Sequence, residues 1–260
     1  MNNDLLNQKY QCLEVDFVWT ADYTEFSVVR GNKNRKESVY LLTIMDLSTR
    51  QIVAQDVRYA KGGNPLTSAD LIKTLHQAMD AKQPPKIFHS DGGGQFTCSE
   101  FKQFLQENNI QQSVGNFKKL KHANQAHESF HNTLKTMCAN LFTGKVEATG
   151  SELTARLTQL VKDENSDLQT TKCTILLASL IEKTKKKSPR TFPALRQFKD
   201  DPKGLFNLFH VILQEYNNRA HSYSNLAPVE AEAALVQYTQ NETIPKGRSV
   251  SKLPLLIIVN

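Results

Sequence analysis

An acidic residue followed by three glycines, directly after a short apolar stretch, constrains this chain more than any other feature. The run is His89-Ser90-Asp91-Gly92-Gly93-Gly94-Gln95-Phe96, and it follows Ile87-Phe88. An apolar pair after two prolines predicts a short buried strand, and the glycines let the backbone turn sharply while leaving the carboxylate uncovered. Asp91 is therefore predicted at the carboxyl end of a strand, where open sheets bind ligands and metal ions. A surface Asp-Gly turn needs the same residue types, so the rest of the sequence is needed to choose between a ligand-binding carboxylate and a surface turn.

Composition limits the classes of protein to consider. The 260 residues include 32 basic and 26 acidic side chains, a formal charge of +6, which permits nucleic-acid binding without requiring it. The cysteines are scattered without a C-x-x-C pair, which is typical of reduced thiols in a cytosolic protein. The polar N-terminus does not resemble a signal peptide, and the longest apolar run, 255–259, is too short to span a bilayer. We predict a soluble, cytoplasmic protein that does not enter the membrane.

Hydrophobic periodicity predicts a chain that mixes strands and helices. Strands are predicted over 13–23, 39–45, 52–59, 87–88 and 111–114, the first three as an antiparallel meander. A helix capped by Thr67 or Ser68 precedes the strand at 87–88, and another helix begins at about residue 99. A long helix is predicted over 123–141. Further helices are expected within 143–203, over 205–216, and from Pro228 to about residue 235.

Three acidic residues occupy suggestive places in this scheme. Asp22 lies near the end of the first predicted strand, Asp91 follows the fourth, and Glu128 lies on the long helix beside His131 and Lys135. Mg²⁺ prefers oxygen ligands, usually a few carboxylates with water and substrate phosphate. Two such ions activate a nucleophile and stabilise the leaving oxygen in phosphoryl transfer. Sequence spacing alone does not establish that these three side chains meet.

The surrounding segments resemble a known family. Residues 19–24, 88–96 and 128–135 resemble the three signature blocks of the retroviral-integrase-type DDE transposases, with 36 residues between Asp91 and Glu128. The tail Tyr216-Asn217-Asn218-Arg219-Ala220-His221 resembles the end of the integrase catalytic core in bacterial insertion-sequence transposases, and residues 4–10 resemble the linker that precedes that core.

That resemblance implies an α/β protein with an RNase H-like fold, a mixed five-stranded sheet flanked by helices, here with a helical insertion. It also implies a linker-like segment over 1–12, a catalytic core over 13–142, the insertion over 143–203, C-terminal helices that complete the core over 204–240, and a tail over 241–260. The implied activity is metal-dependent DNA cleavage and strand transfer, with two Mg²⁺ ions, or Mn²⁺ as a substitute, held by the catalytic residues Asp22, Asp91 and Glu128. The implied DNA-binding residues are Lys118, Lys119, Lys121 and Lys135.

DNA is therefore the expected partner, bound by a homo-oligomer because strand transfer brings two DNA ends together. This sequence shows no helix-turn-helix segment before the linker-like residues, which leaves open whether a separate DNA-recognition chain supplies sequence recognition.

Three alternatives stay open at this point. His127-Glu128-Ser129-Phe130-His131 is an H-E-x-x-H sequence, which on a helix can bind Zn²⁺ in a metalloprotease, although Glu147 is an unsupported third ligand. A catalytically inactive or domesticated DNA-binding remnant of a mobile element would keep the fold without the reaction. A nuclease of the same fold would use the same carboxylates and would cut DNA without joining it.

Overall fold

The protein is described by a computed structural model over residues 14–29, 36–115, 125–143, 191–218 and 226–241. The strands of these residues are β1 (Val18–Val29), β2 (Glu37–Asp46), β3 (Ile52–Lys61), β4 (Ile87–Ser90) and β5 (Gln111–Val114). Their helices are α1 (Ser68–Ala81), the short α2 (Gly94–Thr97), α3 (Ser99–Glu107), α4 (Gln125–Thr143), a 3₁₀ helix (Pro193–Phe198), α5 (Pro202–Asn217) and α6 (Pro228–Asn241).

The described strands form one mixed five-stranded sheet in the order β3-β2-β1-β4-β5. The first three strands pair antiparallel, as the apolar runs predict, and β4 and β5 continue the sheet parallel to β1. A sheet of this order and direction, with helices on its faces, is the RNase H-like arrangement. The predicted fold class is therefore confirmed, apart from the helical insertion.

The first strand differs from its prediction. The sequence predicts a strand over 13–23 that ends near Asp22, whereas β1 runs from Val18 to Val29 and has Asp22 in its interior. The antiparallel partner β2 is the reason, because its ladder continues along β1 as far as the pair Val29 and Glu37. On the other side of β1 the parallel ladder with β4 stops at the pair Ala21 and Ser90. Asp22 is therefore interior to one ladder and lies just beyond the end of the other.

Helices cover both faces of the sheet, and each face has its own apolar core. Because side chains alternate along a strand, Val18 and Phe26 face α4 and α5, whereas Trp19 and Ala21 face α1 and α3. Asp22 has the same parity as Val18 and Phe26 and so lies on the α4 face. Strand β2, in the interior of the sheet, is buried along its whole length, which explains its nearly continuous apolar sequence.

Most of the remaining predicted elements are found within a few residues of their expected ends. Helix α1 begins with Thr67 as its cap, in a reciprocal capping box with Asp70. Cys98 and Cys138, the cysteines in the described ranges, are free thiols. No helix of the described chain is both long and apolar enough to cross a membrane. The linker-like segment 1–12 and most of the predicted insertion, 144–190, lie outside the described residues.

Candidate active site

Asp22 and Asp91 lie side by side just beyond the end of the parallel ladder that joins β1 and β4. The last residues that β1 and β4 pair in parallel are Ala21 and Ser90, and each acid is the next residue in the chain. Asp91 therefore follows β4 directly, as the sequence predicts. This end of the sheet is where open α/β sheets bind ligands, so both carboxylates occupy a position suited to chemistry.

The Gly93 backbone holds the Asp91 carboxylate in place. The Gly93 N–H donates to Asp91 Oδ1 over 2.8 Å, and a Cβ at Gly93 would lie 2.8 Å from the same oxygen. Gly93 has an ordinary φ of −59°, whereas the glycine with a left-handed φ in the described chain is Gly62. Glycine is therefore needed at Gly93 for close approach to Asp91. The sharp turn that the sequence predicted is not the reason.

Helix α4 brings the third acid to this edge. Glu128 is exposed in the first turn of α4, next to His127, which is fully buried. The His127 ring donates from Nε2 to the Thr20 carbonyl of β1 over 3.0 Å, and Thr43 Oγ1 lies 3.5 Å from its Nδ1. Burial lowers the pKa of His127 to about 4, so the ring is neutral near pH 7. This hydrogen bond fixes the start of α4 two residues from Asp22.

Electrostatic coupling indicates that the three acids are neighbours. Burial raises the pKa of Asp22 from 3.8 to about 7, and the negative charges of Asp91 and Glu128 raise it further, against the Tyr23 N–H and the positive charge of Lys135. The Tyr23 N–H donates to Asp22 Oδ1 over 2.7 Å. The group concentrates negative charge in a partly buried place. Such a charge distribution attracts cations.

The donor set of Asp22, Asp91 and Glu128 fits Mg²⁺ in its chemistry, because all its donors are carboxylate oxygens. Their arrangement is looser than a complete ligand shell. Among the described residues, no three or more His, Cys, Asp or Glu side chains are grouped closely enough to hold a metal ion. The structure thus brings the three predicted ligands to one edge without assembling them into a closed site.

The predicted DNA-binding lysines are only partly described. Lys135 is half-buried on α4, near enough to Asp22 for its positive charge to oppose the rise in the pKa of that carboxyl. Lys118, Lys119 and Lys121 lie outside the described residues. Of the four predicted DNA-binding lysines, Lys135 is therefore the one that the structure describes, and it lies near Asp22.

The zinc-protease alternative conflicts with the place of the H-E-x-x-H residues. His127 is buried and uses its Nε2 to anchor α4 to β1, so its ring has a structural role. Glu128 is exposed, and His131 is buried next to Asp22. The suggested third ligand, Glu147, lies outside the described residues.

Two contacts around the site were not anticipated from the sequence. Asn217, at the end of α5, forms two hydrogen bonds with the backbone of Ile52 at the start of β3, each 2.9 Å long. Its neighbour Tyr216 packs against Phe130 of α4 with ring centroids 4.9 Å apart. The sequence marked both residues as part of a family-like tail without giving them a role. An amide at the end of an apolar helix was the available signal.

Comparisons with known proteins agree with the resemblance seen in the sequence. Residues 14–118 match the integrase core domain family. An uncharacterised transposase-like protein of Haemophilus influenzae is 31% identical over 136 residues, which cover 52% of this chain and 58% of that protein. The chain therefore spans little more than half the length of this relative.

Two retroviral integrase catalytic cores are among the similar solved structures. The core of HTLV-2 integrase, solved with magnesium in a trimeric form, has 14% identity and a TM-score of 0.40, covering 85% of this chain and 98% of that one. The core of BIV integrase has 13% identity and a TM-score of 0.42, covering 86% and 99%. At such scores the fold is better judged from the strand order and directions described above.

Proposed function

Because residues 14–118 match the integrase core domain family, we propose that this chain is a DDE-type transposase that cleaves DNA and transfers the cut strand. The observation that carries the proposal is the meeting of Asp22 and Asp91 where the parallel ladder of β1 and β4 ends. Burial raises the pKa of Asp22, and the charge of Glu128 is near enough to raise it further. The transposase-like relative supports the same function.

In this proposal Asp22, Asp91 and Glu128 hold two Mg²⁺ ions, for which Mn²⁺ can substitute. Bound ions of this kind activate the attacking water or 3′-hydroxyl and neutralise charge on the leaving oxygen. The chain's own residues position these groups: the Gly93 N–H orients Asp91, and His127 fixes the helix of Glu128. Lys135 is assigned to a DNA phosphate, and the same role is proposed for Lys118, Lys119 and Lys121. Strand transfer needs two DNA ends held together, so a homo-oligomer on DNA belongs to the proposal.

Branched DNA that mimics a strand-transfer product tests the activity directly, because its cleavage and joining depend least on recognition of a specific DNA sequence. With Mn²⁺ we expect both cleaved and rejoined strands on a denaturing gel, and no products with EDTA. Cleavage without joining, on a substrate with a free 3′-hydroxyl, would identify a nuclease of the same fold. The absence of products at every Mn²⁺ concentration would contradict catalysis by this chain and favour a DNA-binding remnant.

Gly93 offers a second test with a matched control. A methyl group at Gly93 would lie 2.8 Å from Asp91 Oδ1, so Gly93→Ala must displace the carboxylate. We expect it to lower Mn²⁺-dependent strand cleavage by about 10–100-fold, since small misplacements of a catalytic group have effects of that size. Gly94→Ala is the control, because a Cβ at Gly94 meets nothing within 4 Å. Equal rates for the two variants, measured on the same branched DNA, would show that close packing at Gly93 does not position Asp91.

A further inference from the structure

His131 faces the carboxylate of Asp22 from the neighbouring helix. Its Nδ1 lies 4.0 Å from Asp22 Oδ2, and the two side chains are only 11% and 22% exposed. The other oxygen of Asp22, Oδ1, accepts the N–H of Tyr23. The two oxygens of Asp22 thus have different neighbours: one is held by the strand itself, and the other faces the imidazole.

Packing fixes the position of the His131 ring. Its centroid lies 5.4 Å from that of Phe130 and 5.5 Å from that of His127, which is itself anchored to β1. Tyr216 of α5 also packs against Phe130, with ring centroids 4.9 Å apart. A ring held in this way presents its Nδ1 edge to Asp22 in a fixed direction, so the orientation of the carboxylate can depend on it.

Packing alone does not explain a histidine here. Within the described structure, Nε2 of His131 is buried without a hydrogen-bond partner. Burial of a polar atom without a partner destabilises the fold, a cost that a phenylalanine or leucine would avoid. A neutral imidazole has one N–H, which lies on either of its two nitrogens. With that hydrogen on Nδ1, the donor faces the carboxylate and Nε2 keeps a lone pair.

We propose that His131 is a positioning residue for Asp22, which orients the carboxylate through the Nδ1 edge of its imidazole. This inference rests on the proposed function, in which Asp22 binds divalent cations. The separation of 4.0 Å exceeds a hydrogen bond, so His131 acts on Asp22 in the metal-free protein as an oriented dipole. Outer-shell partners of metal-binding carboxylates change metal affinity or activity by about 10–100-fold when replaced.

Two amide substitutions separate positioning from packing. Asn places its amide nitrogen near the position of Nδ1, whereas Gln places it near Nε2, away from Asp22. We expect His131→Gln to weaken Mn²⁺ binding about tenfold in isothermal titration calorimetry, with a matching rise in the Mn²⁺ concentration for half-maximal cleavage of branched DNA. His131→Asn is expected to stay within about threefold of wild type. His131→Phe, which keeps the aromatic packing, is expected to behave like the Gln variant.

The outcomes distinguish this inference from the function on which it rests. If His131→Gln or His131→Phe binds Mn²⁺ as tightly as wild type, the positioning role is overturned while the proposed function stands. If Asn weakens binding as much as Gln, the role of His131 is packing and the inference again fails. If the wild-type chain neither binds Mn²⁺ nor processes DNA, the proposed function itself is contradicted.

Discussion

Asp22→Asn is expected to abolish metal-dependent DNA processing and, at the same time, to stabilise the metal-free protein. Asn keeps the size of the side chain but removes the charge that cations bind, so we expect cleavage to fall by about 10²–10³-fold or more. The stability gain follows from the raised pKa of Asp22, about 7, which burial causes first and the nearby Asp91 and Glu128 increase. The charged carboxylate is costly to bury and so lowers the free energy of unfolding, and the neutral amide removes this cost.

The sign and range of the stability effect can be worked out. A carboxyl whose pKa is higher in the folded than in the unfolded protein gives stability below pH 3.8 that is lost as the pH rises to about 7. The Asn variant does not lose this stability. The difference between its free energy of unfolding and that of the wild type therefore grows from pH 3.8 to about pH 7 and is constant at higher pH. One pKa unit corresponds to about 1.4 kcal/mol, which sets an upper limit of about 4 kcal/mol. Because the carboxylate is 22% exposed and the amide is also costly to bury, we expect about 1–2 kcal/mol.

Urea unfolding in EDTA, between about pH 5 and about pH 8, measures this gain. In a buffer with Mn²⁺ and without EDTA, the wild type should be stabilised and the variant unchanged, because only a state that binds the ion is stabilised. Asp80→Asn is the matched control, since the Asp80 side chain is 68% exposed and pairs with His76 within helix α1. Full DNA processing by Asp22→Asn would remove Asp22 from the site. A loss of metal-free stability would show that the charged carboxylate supports the fold.

The parts of the structure that could be predicted from the sequence depend on local patterns. Alternating or continuous apolar runs located the strands, and the Thr67 cap located α1, because each signal lies within a few residues of its consequence. Asp91 was placed correctly for the same reason, since the apolar pair and the glycines that flank it are adjacent in the chain. The meeting of Asp91 with Asp22 needed the family resemblance, because β1 and β4 are far apart in sequence.

The features that the sequence could not predict are set by distant partners. Strand β1 continues past Asp22 because β2 pairs with it, and no sequence pattern near Asp22 indicates that pairing. From the sequence, His127 matches one of the two histidines of a zinc-binding motif, whereas in the structure its Nε2 donates to the Thr20 carbonyl. Gly93 looks like a turn residue, although its φ is ordinary and its role is to make room for Asp91. In each case, residue type indicated a special role and only tertiary contacts identified it.

Asn217→Ala is expected to destabilise the fold more than removal of any exposed side chain. Asn217 is buried, and its amide accepts the N–H of Ile52 and donates to the carbonyl of the same residue, both over 2.9 Å. Alanine leaves both backbone groups of Ile52 without these partners at the start of β3. An unsatisfied buried group costs about 1–3 kcal/mol, so we expect a total loss of about 2–4 kcal/mol.

Asn218→Ala is the matched control, because Asn218 is exposed and its side-chain amide donates to the Gln214 carbonyl in the last turns of α5. We expect that variant to unfold within about 0.5 kcal/mol of wild type. Urea unfolding with both variants measures the difference, and each kcal/mol should appear as about 2–4 °C in the thermal midpoint for a chain of this size. Equal stability of the two variants would show that water replaces the amide at Ile52.

The same variant separates support of the fold from chemistry at the site. The side chain of Asn217 hydrogen-bonds to Ile52 of β3, and Tyr216 beside it packs on Phe130, two residues from Glu128. If its role is to hold α5 on β3, the DNA processing lost by Asn217→Ala should return when the temperature is lowered or urea is absent, because the folded fraction returns. Asp22→Asn should stay inactive under all these conditions. If the Asn217→Ala protein stayed folded at low temperature and was still inactive, the contact of α5 with β3 would be among the features that position the acids. The site would then extend across β2 to the edge strand β3.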